Sequence, residues 1–337
     1  MGWLKRAAGW TIDTFLPIQR TYFHPVVWAN LGFVGRLLAR MTKSDRPPLL
    51  ILSMPRSGSS WVGKMLGYAK SALYLREPIN QSVSEHTDLP TLYEVFSERT
   101  ASKVRPSARD VFNEYPAFDR PIVQQPEKWG LIDRRQKQVV VKEVNPFLLS
   151  WLLDSFDFRI LYLVRHPAGV AGSYDRLGWG EDMLQSLPKV GKIIPESHKN
   201  TFWPCHGALQ AVASNSVVHT LSERDEIECE FVRYEDLCRK PVKGFRRLFE
   251  FAELPFTDED LDRIERHSTS TNEHRNETYG TRRNSAEMVD TWRDEIERDR
   301  RRELKAAYLY YEPPFYTEER CWPETENLDP GTLQLDS

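Results

Sequence analysis

Five short apolar runs are spaced along the chain, and longer segments with helical periodicity separate them. Runs that are apolar throughout predict strands buried on both faces, whereas the longer periodic segments predict helices. The apolar runs span residues 49–54, 73–75, 138–142, 159–164 and 227–232, and the clearest helical patterns span residues 145–154, 202–222 and 241–252. Strands that alternate with helices predict an α/β fold in which right-handed crossovers build a central parallel sheet with helices on both faces. Ligands of such sheets bind at the carboxyl ends of the strands.

The most specific local signal follows the first apolar run, where residues 49–66 read LLILSMPRSGSSWVGKML. A strand, a tight turn and a helix start succeed one another here, an order that suits phosphate binding. Pro55 and Gly58 shape the turn, and the N–H groups at the helix start point to one spot that favours negative charge. Arg56 adds a fork of N–H donors suited to an oxyanion. Further hydroxyl donors belong to Ser57, Ser59 and Ser60. By itself this loop predicts an anion site and no more.

The same stretch comes close to a second phosphate-binding pattern, because GSSWVGKM from Gly58 to Met65 nearly reads G-x-x-x-x-G-K-[ST]. In that pattern a hydroxyl side chain holds Mg²⁺, but Met65 stands at the corresponding position. The first glycine also lies several residues beyond the strand, and Lys64 falls inside the helix. The sequence therefore disfavours a Walker A loop.

A second strand-to-helix element of the same kind occupies residues 158–179. Its apolar strand ends at Arg165, and a helix of small residues begins at His166 and Pro167. Ser173 follows Arg165 by eight positions, a little over two helical turns, so the two side chains can hold one phosphate between them. Nucleotide kinases more often present an acidic metal ligand on such a strand. Two anion sites without an evident metal carboxylate predict a ligand with phosphate at both ends.

With these two elements the chain resembles the sulfotransferases that use 3′-phosphoadenosine 5′-phosphosulfate (PAPS). Their 5′-phosphosulfate loop reads P-[RK]-S-G-[ST]-[ST], which the chain matches from Pro55, and their 3′-phosphate element has an Arg and a Ser eight positions apart. The resemblance covers residues 48–300 and implies a P-loop-like, three-layer α/β/α domain. The Arg in the loop is similar to the carbohydrate and tyrosylprotein branch, since the cytosolic small-molecule branch usually carries Lys there. The nucleotide-binding residues implied by both signatures are Arg56, Ser57, Gly58, Ser59, Ser60, Trp61, Arg165 and Ser173.

Two later segments match the family less closely. Residues 229–254 are similar to the family's R-Y-E-[DQ]-L strand-to-helix passage, in which the tyrosine lies near the nucleotide, and Tyr234 is the corresponding residue. Residues 278–293 resemble the loop and helix that close over the cofactor, which makes Arg282 and Arg283 candidates for the 3′-phosphate. A half-buried tyrosine and two solvated arginines are the alternative interpretations.

Sulfuryl transfer by in-line displacement needs charge stabilisation and a base for the acceptor hydroxyl. The resemblance assigns Arg56 to the bridging oxygen of the donor. Val144 stands where the cytosolic branch has a histidine, so the base would be a carboxylate. Glu77, 21 positions after Arg56, matches the glutamate of the carbohydrate and tyrosylprotein branch. Lys142 would help to neutralise the sulfuryl oxygens, Glu143 is the reserve base, and a structural ion pair is the alternative role of Glu77.

Cysteine and histidine spacings predict neither a metal site nor a disulfide framework. The four cysteines form no C-x-x-C pair. Cys205 and His206 are adjacent, but two neighbours make a poor zinc site, and a buried cysteine beside a solvated histidine is expected instead. Unpatterned cysteines indicate a reducing compartment.

Charge is distributed unevenly along the chain, although the net charge is only −3. Residues 1–43 carry six basic side chains and one acid, whereas residues 312–337 carry seven acids and one arginine. The overall charge argues against nucleic acid as a partner. We expect a basic aromatic arm at residues 1–47, the sulfotransferase domain at residues 48–311 and a solvated, partly disordered acidic tail at residues 312–337.

The N-terminal arm mixes basic and aromatic side chains, which suits a membrane interface. A helix packed on the domain is the equal alternative. The arm has no uncharged apolar run near the ~20 residues of a spanning helix, and it lacks a signal-peptide cleavage pattern. The expected location is cytoplasmic, with peripheral membrane contact through residues 1–43.

The resemblance to the PAPS-dependent sulfotransferases implies an enzyme that transfers a sulfuryl group from PAPS to a hydroxyl of a saccharide or glycolipid, and no metal is expected. Residues 178–225 match no motif and form either an acceptor-side helical insertion, with Trp179 and Trp203 as aromatic faces, or a helix that completes the core. Two alternative functions stay open. One is a P-loop nucleotide-dependent kinase, which would need Mg²⁺ and prefer ATP, and the other is a non-catalytic nucleotide-binding relative.

Overall fold

The computed structural model describes residues 24–79, 98–179, 194, 198, 201–269 and 285–322. Within them all five predicted strands are present, with ends that differ by at most two residues from the expected ones. The strands are β1 Leu49–Ser53, β2 Ala72–Arg76, β3 Gln138–Glu143, β4 Arg159–Val164 and β5 Cys229–Arg233.

The strands form one sheet in the order β2-β3-β1-β4-β5, and every pairing is parallel. The predicted α/β fold with a central parallel sheet is therefore confirmed. The central strand is β1, where Leu50 aligns with Val141 of β3 on one side and with Ile160 of β4 on the other. Because β1 and β4 are neighbours, the loops that follow them leave the same edge of the sheet side by side.

Helices connect the strands, and those expected near residues 145–154, 202–222 and 241–252 are all found. In the described part of the chain the α-helices are α1 Phe33–Met41, α2 Ser59–Tyr68, α3 Glu98–Phe112, α4 Leu149–Ser155, α5 Pro167–Arg176, α6 Phe202–Ser222, α7 Tyr234–Arg239, α8 Pro241–Phe251, α9 Asp258–Thr269, α10 Trp292–Glu295 and α11 Arg298–Tyr310. Short 3₁₀ turns include Val27–Leu31 before α1 and Pro146–Leu148 before α4.

Alternate side chains of each strand point to opposite faces of the sheet, and each face carries its own apolar core. Leu50 and Leu52 of β1 belong to a cluster with α3, α4, α6 and α11. Leu49 and Ile51 belong to a second cluster with α2, α7 and α8. The result is the expected three-layer α/β/α arrangement.

The acidic C-terminal segment does not begin as a solvated tail. Tyr316 and Trp322 are only 5% and 4% exposed and join the larger core cluster. The expectation of a solvated segment is wrong for these two side chains, because they bury apolar surface against the core. Glu312, Glu318 and Glu319 are exposed, as expected. Residues 323–337 lie outside the described part.

Residues 201–225, the continuous described part of the segment that matched no motif, contribute buried side chains to the core. Helix α6 packs along α11, and Trp203 at its start is buried. Of the helices in the described ranges, none combines the length and the apolar character that crossing a bilayer requires.

Candidate active site

The loop between β1 and α2 has the backbone of an anion cradle. Gly58 adopts a left-handed conformation with φ of 94° immediately before the helix starts at Ser59. Because Gly58 has no side chain that could cap the helix, the N–H groups of the first turn open toward the loop. The base of the loop is fastened where Ser53 Oγ donates to Ser59 Oγ at 2.8 Å. Arg56 also has a positive φ, 67°, which is a strained conformation for a residue with a β-carbon.

The second anion element lies directly against this loop. Arg165 follows β4, and its Nη1 donates to the backbone carbonyl of Arg56 at 3.0 Å. The Arg56 side chain also reaches the second element, where its Nε donates to Ser173 Oγ on α5 at 3.0 Å. Gly169 leaves room for this arrangement, since a β-carbon there would lie 3.0 Å from Arg165 Nε. The structure therefore brings together the two motifs that the sequence assigned to the two ends of one ligand.

Tyr234 stands between the two motifs at the start of α7. The Arg165 Cζ atom lies 4.6 Å from the centre of the Tyr234 ring, within cation–π range. A β-carbon on Gly58 would lie 2.4 Å from Tyr234 Cδ2, so only glycine fits beneath the ring. Trp61 is buried behind Tyr234, with its ring centre 6.3 Å away, and packs on Phe245 at 4.9 Å. Trp61 thus supports the tyrosine from the core side.

The serines of the loop face different surroundings. Ser59 is buried and engaged with Ser53, whereas Ser60 is half-buried. Ser57 is 2% exposed and lines a small cavity of about 10 Å³, together with Arg165 and Tyr316. A cavity of this size can hold about one water molecule.

The candidate base is part of a buried ion pair. Glu77 follows β2 with a φ of 50°, and its carboxylate pairs with the ammonium group of Lys142 on β3. The two side chains are 6% and 2% exposed. Burial lowers the pKa of Lys142, and the charge of Glu77 opposes this shift. The Glu77 backbone N–H also donates to the Lys142 carbonyl at 2.7 Å, which fixes the two residues together.

Glu143, the reserve base, holds the backbone next to Glu77. Its Oε1 accepts the N–H of Ile79 at 2.7 Å, and the side chain is buried. Strand β3 separates β2 from β1, so Glu77 lies two strands, or about 10 Å, from the end of β1. Lys142 and Glu143 occupy the strand between the candidate base and the anion loop.

A third group of residues escaped the sequence analysis, because its members are far apart in the chain. The His166 N–H donates to Glu235 Oε1 at 2.9 Å, and Glu235 Oε2 accepts the Tyr316 hydroxyl at 2.6 Å. The His166 ring stacks on Trp292 with centres 4.4 Å apart and an angle of 4° between the planes. Trp322 Nε1 donates to the Tyr316 carbonyl at 2.8 Å. Together these contacts attach His166, which directly follows Arg165, to the C-terminal segment.

The protonation state of His166 follows from its partners. Burial lowers the pKa of His166 to about 3, so the ring is neutral near pH 7. Nδ1 can then accept the Ala168 N–H at 3.3 Å, which caps α5, and Nε2 donates to the Cys321 carbonyl at 2.9 Å. The sequence offered only one signal for this role, the His-Pro pair at the helix start.

His206 differs from the expectation of a solvated histidine. Its side chain is fully buried, and both ring nitrogens lack a hydrogen-bond partner within the described residues. Its ring packs edge-on against Tyr174 and Phe202, with centres 4.6 and 4.7 Å apart. The expectation was wrong because α6 packs on both α5 and α11, so a neighbour covers each side of this turn.

The remaining candidates divide into two sets. Trp179 is half-buried, and the centre of its ring lies 5.6 Å from Arg56 Cζ at the mouth of the site. Arg282 and Arg283 lie outside the described residues. Across the ranges that the structure describes, no group of three or more His, Cys, Asp and Glu side chains could hold a metal ion.

Comparison with known proteins identifies the family. The family profile described as "Sulfotransferase domain" matches residues 46–312. The chain therefore belongs to the sulfotransferase family.

Similar curated proteins carry names from one branch of this family. Mouse carbohydrate sulfotransferase 3 is 36% identical over 179 residues, which cover 48% of this chain and 35% of that protein. Mouse carbohydrate sulfotransferase 4 is 25% identical over 66% of this chain and 70% of that protein, and rat carbohydrate sulfotransferase 1 is 24% identical over 76% and 75%. The segment matched to the first of these proteins is thus about a third of its length.

Solved structures with a similar chain course are also sulfotransferases. The sulfotransferase domain from the curacin biosynthetic pathway aligns with a TM-score of 0.44 and 22% identity, over 81% of this chain and all of that domain. A mouse sulfotransferase complexed with PAP aligns with a TM-score of 0.43 and 14% identity, over 86% of this chain and 94% of that one.

Proposed function

We propose that the enzyme takes the sulfuryl group from PAPS and transfers it to a hydroxyl of a carbohydrate acceptor. The observation that carries this proposal is the direct contact between the two anion motifs, through Arg56, Ser173 and Arg165. A nucleotide with phosphate groups on both its 3′ and 5′ positions needs two cation-rich sites on one sheet edge. The neighbouring positions of β1 and β4 in the sheet support this proposal.

The proposed binding mode requires one local rearrangement. The 5′-phosphosulfate would bind the loop before α2, and the 3′-phosphate would bind Arg165 and Ser173. Arg56 now donates to Ser173 Oγ, so a 3′-phosphate would replace that hydrogen bond and release the guanidinium toward the 5′ side. Bonds from Arg to phosphate are charge-assisted and stronger than a bond to a neutral hydroxyl, which favours the exchange.

In the proposed reaction the acceptor oxygen attacks sulfur in line with the leaving phosphate. The new O–S bond forms as the S–O bond to the 5′-phosphate breaks, and adenosine 3′,5′-bisphosphate leaves with the electron pair. Arg56 would stabilise the charge on that oxygen, and Glu77 would accept the acceptor proton. Lys142 would keep Glu77 oriented and offset charge on the sulfuryl oxygens. Positioning and electrostatics account for most of the catalysis in such displacements.

Two observations support a carbohydrate acceptor. The curated relatives are carbohydrate sulfotransferases, and the Trp179 ring stands beside Arg56 where an acceptor would approach the sulfur. Aromatic faces suit the apolar side of a sugar ring.

A thermal-shift comparison tests the nucleotide class. We expect adenosine 3′,5′-bisphosphate to raise the unfolding temperature at concentrations where ATP with Mg²⁺ has a much smaller effect. A ligand at one hundred times its dissociation constant adds about 2.7 kcal/mol to stability, which such an assay detects easily. Stronger stabilisation by ATP with Mg²⁺ would instead indicate a nucleotide-dependent kinase.

A transfer assay tests catalysis. Wild-type enzyme with PAPS and a panel of saccharides should release adenosine 3′,5′-bisphosphate, and Glu77→Gln should lower turnover by about a hundredfold while nucleotide binding changes little. Full activity of Glu77→Gln would rule out the base. Nucleotide binding without product from any acceptor would favour a non-catalytic relative.

A further inference from the structure

Large apolar side chains cluster on the surface before β1. Six of the nine exposed ones in the described ranges lie between residues 27 and 41. They are Val27 (82% exposed), Leu31 (54%), Phe33 (82%), Val34 (51%), Leu37 (47%) and Met41 (64%), and we call them the α1 patch. Scattered apolar residues on a surface are ordinary, but a contiguous patch marks an interaction site.

Helix α1 is oriented with its large apolar residues outward. It buries Gly35 and Ala39 and exposes Phe33, Leu37 and Met41, the reverse of the usual surface helix. The cause is close packing on the inner side. A β-carbon on Gly35 would lie 2.7 Å from the Trp28 carbonyl oxygen and 3.0 Å from Tyr115 Cε2, so only a face of small residues fits there.

Polar anchors hold this orientation. Arg134 Nη1 donates to Thr42 Oγ1 at 2.8 Å and to the Ala39 carbonyl at 3.3 Å, while Trp28 Nε1 donates to the Trp129 carbonyl at 2.7 Å. The Arg134 side chain is fully buried, so these bonds fix the last turn of α1 against the domain. The exposed apolar stripe is therefore a stable feature of the fold.

The charged side chains between residues 24 and 44 are all basic, and the next acid along the chain is Asp45. Arg36, Arg40 and Lys43 are exposed, and residues 24–44 contain no acidic residue. Arg36 forms an ion pair with Asp110 at 3.1 Å but remains 52% exposed. A second copy of the chain on a twofold axis would bring these like charges together, which disfavours self-association through the patch. The exposed apolar side chains and the basic residues beside them are complementary to a surface that has an apolar interior and an anionic boundary.

We propose that the α1 patch docks onto a lipid bilayer that contains anionic lipids. Phe33, Leu37 and Met41 would enter the boundary between headgroups and acyl chains, and Arg40 and Lys43 would meet the lipid phosphates. The patch is tied to the amino ends of the strands, because Ser44 Oγ donates to the Lys137 carbonyl next to β3 at 2.6 Å. The candidate active site lies at the carboxyl ends, so a docked enzyme keeps it open to the acceptor.

Vesicle sedimentation with the full chain tests the proposal. The probes are vesicles of phosphatidylcholine alone and vesicles in which about one lipid in three is phosphatidylglycerol. We expect binding to the anionic vesicles that weakens with added salt, and at least a roughly tenfold loss of affinity in the Phe33→Glu/Leu37→Glu double variant. Tyr310→Glu is the matched control, because Tyr310 is 65% exposed on α11 and is not part of the α1 patch. This variant should bind as wild type does.

Three results would overturn the proposal. The first is wild-type protein that stays in solution with both kinds of vesicle. The second is a double variant that sediments with anionic vesicles as well as wild type does. The third is a lower unfolding temperature or a lower sedimentation coefficient of the double variant, when wild type binds neither kind of vesicle. In that case the chain itself or a second copy would cover the patch.

Discussion

Two residues to which the sequence assigned the chemistry, Arg56 and Glu77, have positive φ values, as do five other non-glycine residues of the described part. Arg56 and Glu77 have φ of 67° and 50°, in the left-handed region that side chains rarely occupy. Each such residue costs about 1–3 kcal/mol, and the surrounding structure must offset it. Two hydrogen bonds hold these conformations. Arg165 donates to the Arg56 carbonyl, and the Glu77 N–H donates to the Lys142 carbonyl.

Gly58 combines a positive φ with a close contact, so its replacement tests the geometry of the anion loop. In Gly58→Ala the new methyl group would meet Tyr234 Cδ2 at 2.4 Å. We expect a loss of about 1–3 kcal/mol in the free energy of unfolding. Displacement of Tyr234 or of the loop should also weaken binding of adenosine 3′,5′-bisphosphate by roughly a hundredfold, as measured by calorimetry.

Gly32→Ala is the control for backbone strain alone. Gly32 has a φ of 55° but no atom within 4 Å of its β-carbon position, and it lies outside the candidate site. This variant should lose some stability and keep its nucleotide affinity. Normal nucleotide binding by Gly58→Ala would show that the loop does not need the Tyr234 contact.

His206 gives the fold a measurable dependence on pH. Burial lowers its pKa to about 3, whereas the unfolded chain binds the proton with a pKa near 6.5. Between these values the unfolded state carries more protons, so the free energy of unfolding falls as pH falls, by about 1.4 kcal/mol per pH unit for each such histidine. His166 contributes in the same window and with the same sign.

His206→Leu should therefore roughly halve the loss of stability between about pH 6 and about pH 4, as measured by urea unfolding. At pH 7 the variant should be neutral or more stable by about 1 kcal/mol, because the ring nitrogens have no hydrogen bonds to lose. His219→Leu is the matched control on the same helix, since its side chain is 74% exposed. An unchanged pH slope in His206→Leu would contradict the assigned pKa.

At the scale of elements, the C-terminal segment of residues 312–322 acts on the β4–α5 turn. Tyr316 donates to Glu235, Glu235 accepts from the His166 N–H, and His166 directly follows Arg165. The segment therefore supports the second anion motif without being near it in sequence. It also explains why His166 is buried in aromatic rings rather than directed at the loop.

Tyr316→Phe tests this support. The variant leaves one oxygen of the buried Glu235 carboxylate without its hydroxyl donor, which should cost about 1–3 kcal/mol of unfolding free energy. Because His166 then loosens, we expect adenosine 3′,5′-bisphosphate affinity to fall by up to about tenfold. Tyr310→Phe, at an exposed tyrosine of α11, should change neither quantity. If Tyr316→Phe binds the nucleotide as tightly as wild type does, residues 312–322 stabilise the fold but do not support nucleotide binding.

At the scale of the whole molecule, sequence reasoning succeeded where the signal is local. The strands were predictable because runs such as residues 49–53 and 159–164 have few other ways to bury their side chains. The strand order was not, since periodicity does not say which strands pair. The link from His166 to Cys321 joins residues 155 positions apart and has no local signature. The Lys142 partner of Glu77 was unpredictable for the same reason, because β2 and β3 become neighbours only in the sheet.

The largest consequence of that strand order is that one nucleotide should bridge two loops 109 residues apart in the chain, where Arg165 meets Arg56. Under the proposed function the described residues that contact the 3′-phosphate lie on the β4 side, so adenosine 3′,5′-bisphosphate should bind wild type about 10 to 100 times more tightly than adenosine 5′-monophosphate. Arg165→Ala should weaken the bisphosphate much more than the monophosphate, which brings the ratio of the two affinities toward one. Ser173→Ala should lower this ratio severalfold with little effect on stability. Arg56→Ala should weaken both nucleotides equally. Calorimetric titration of the four proteins with both nucleotides measures each ratio. If Arg165→Ala weakens the monophosphate as much as the bisphosphate, the assignment of the second motif to the 3′-phosphate is wrong, because the arginine would then act only by holding the Arg56 loop.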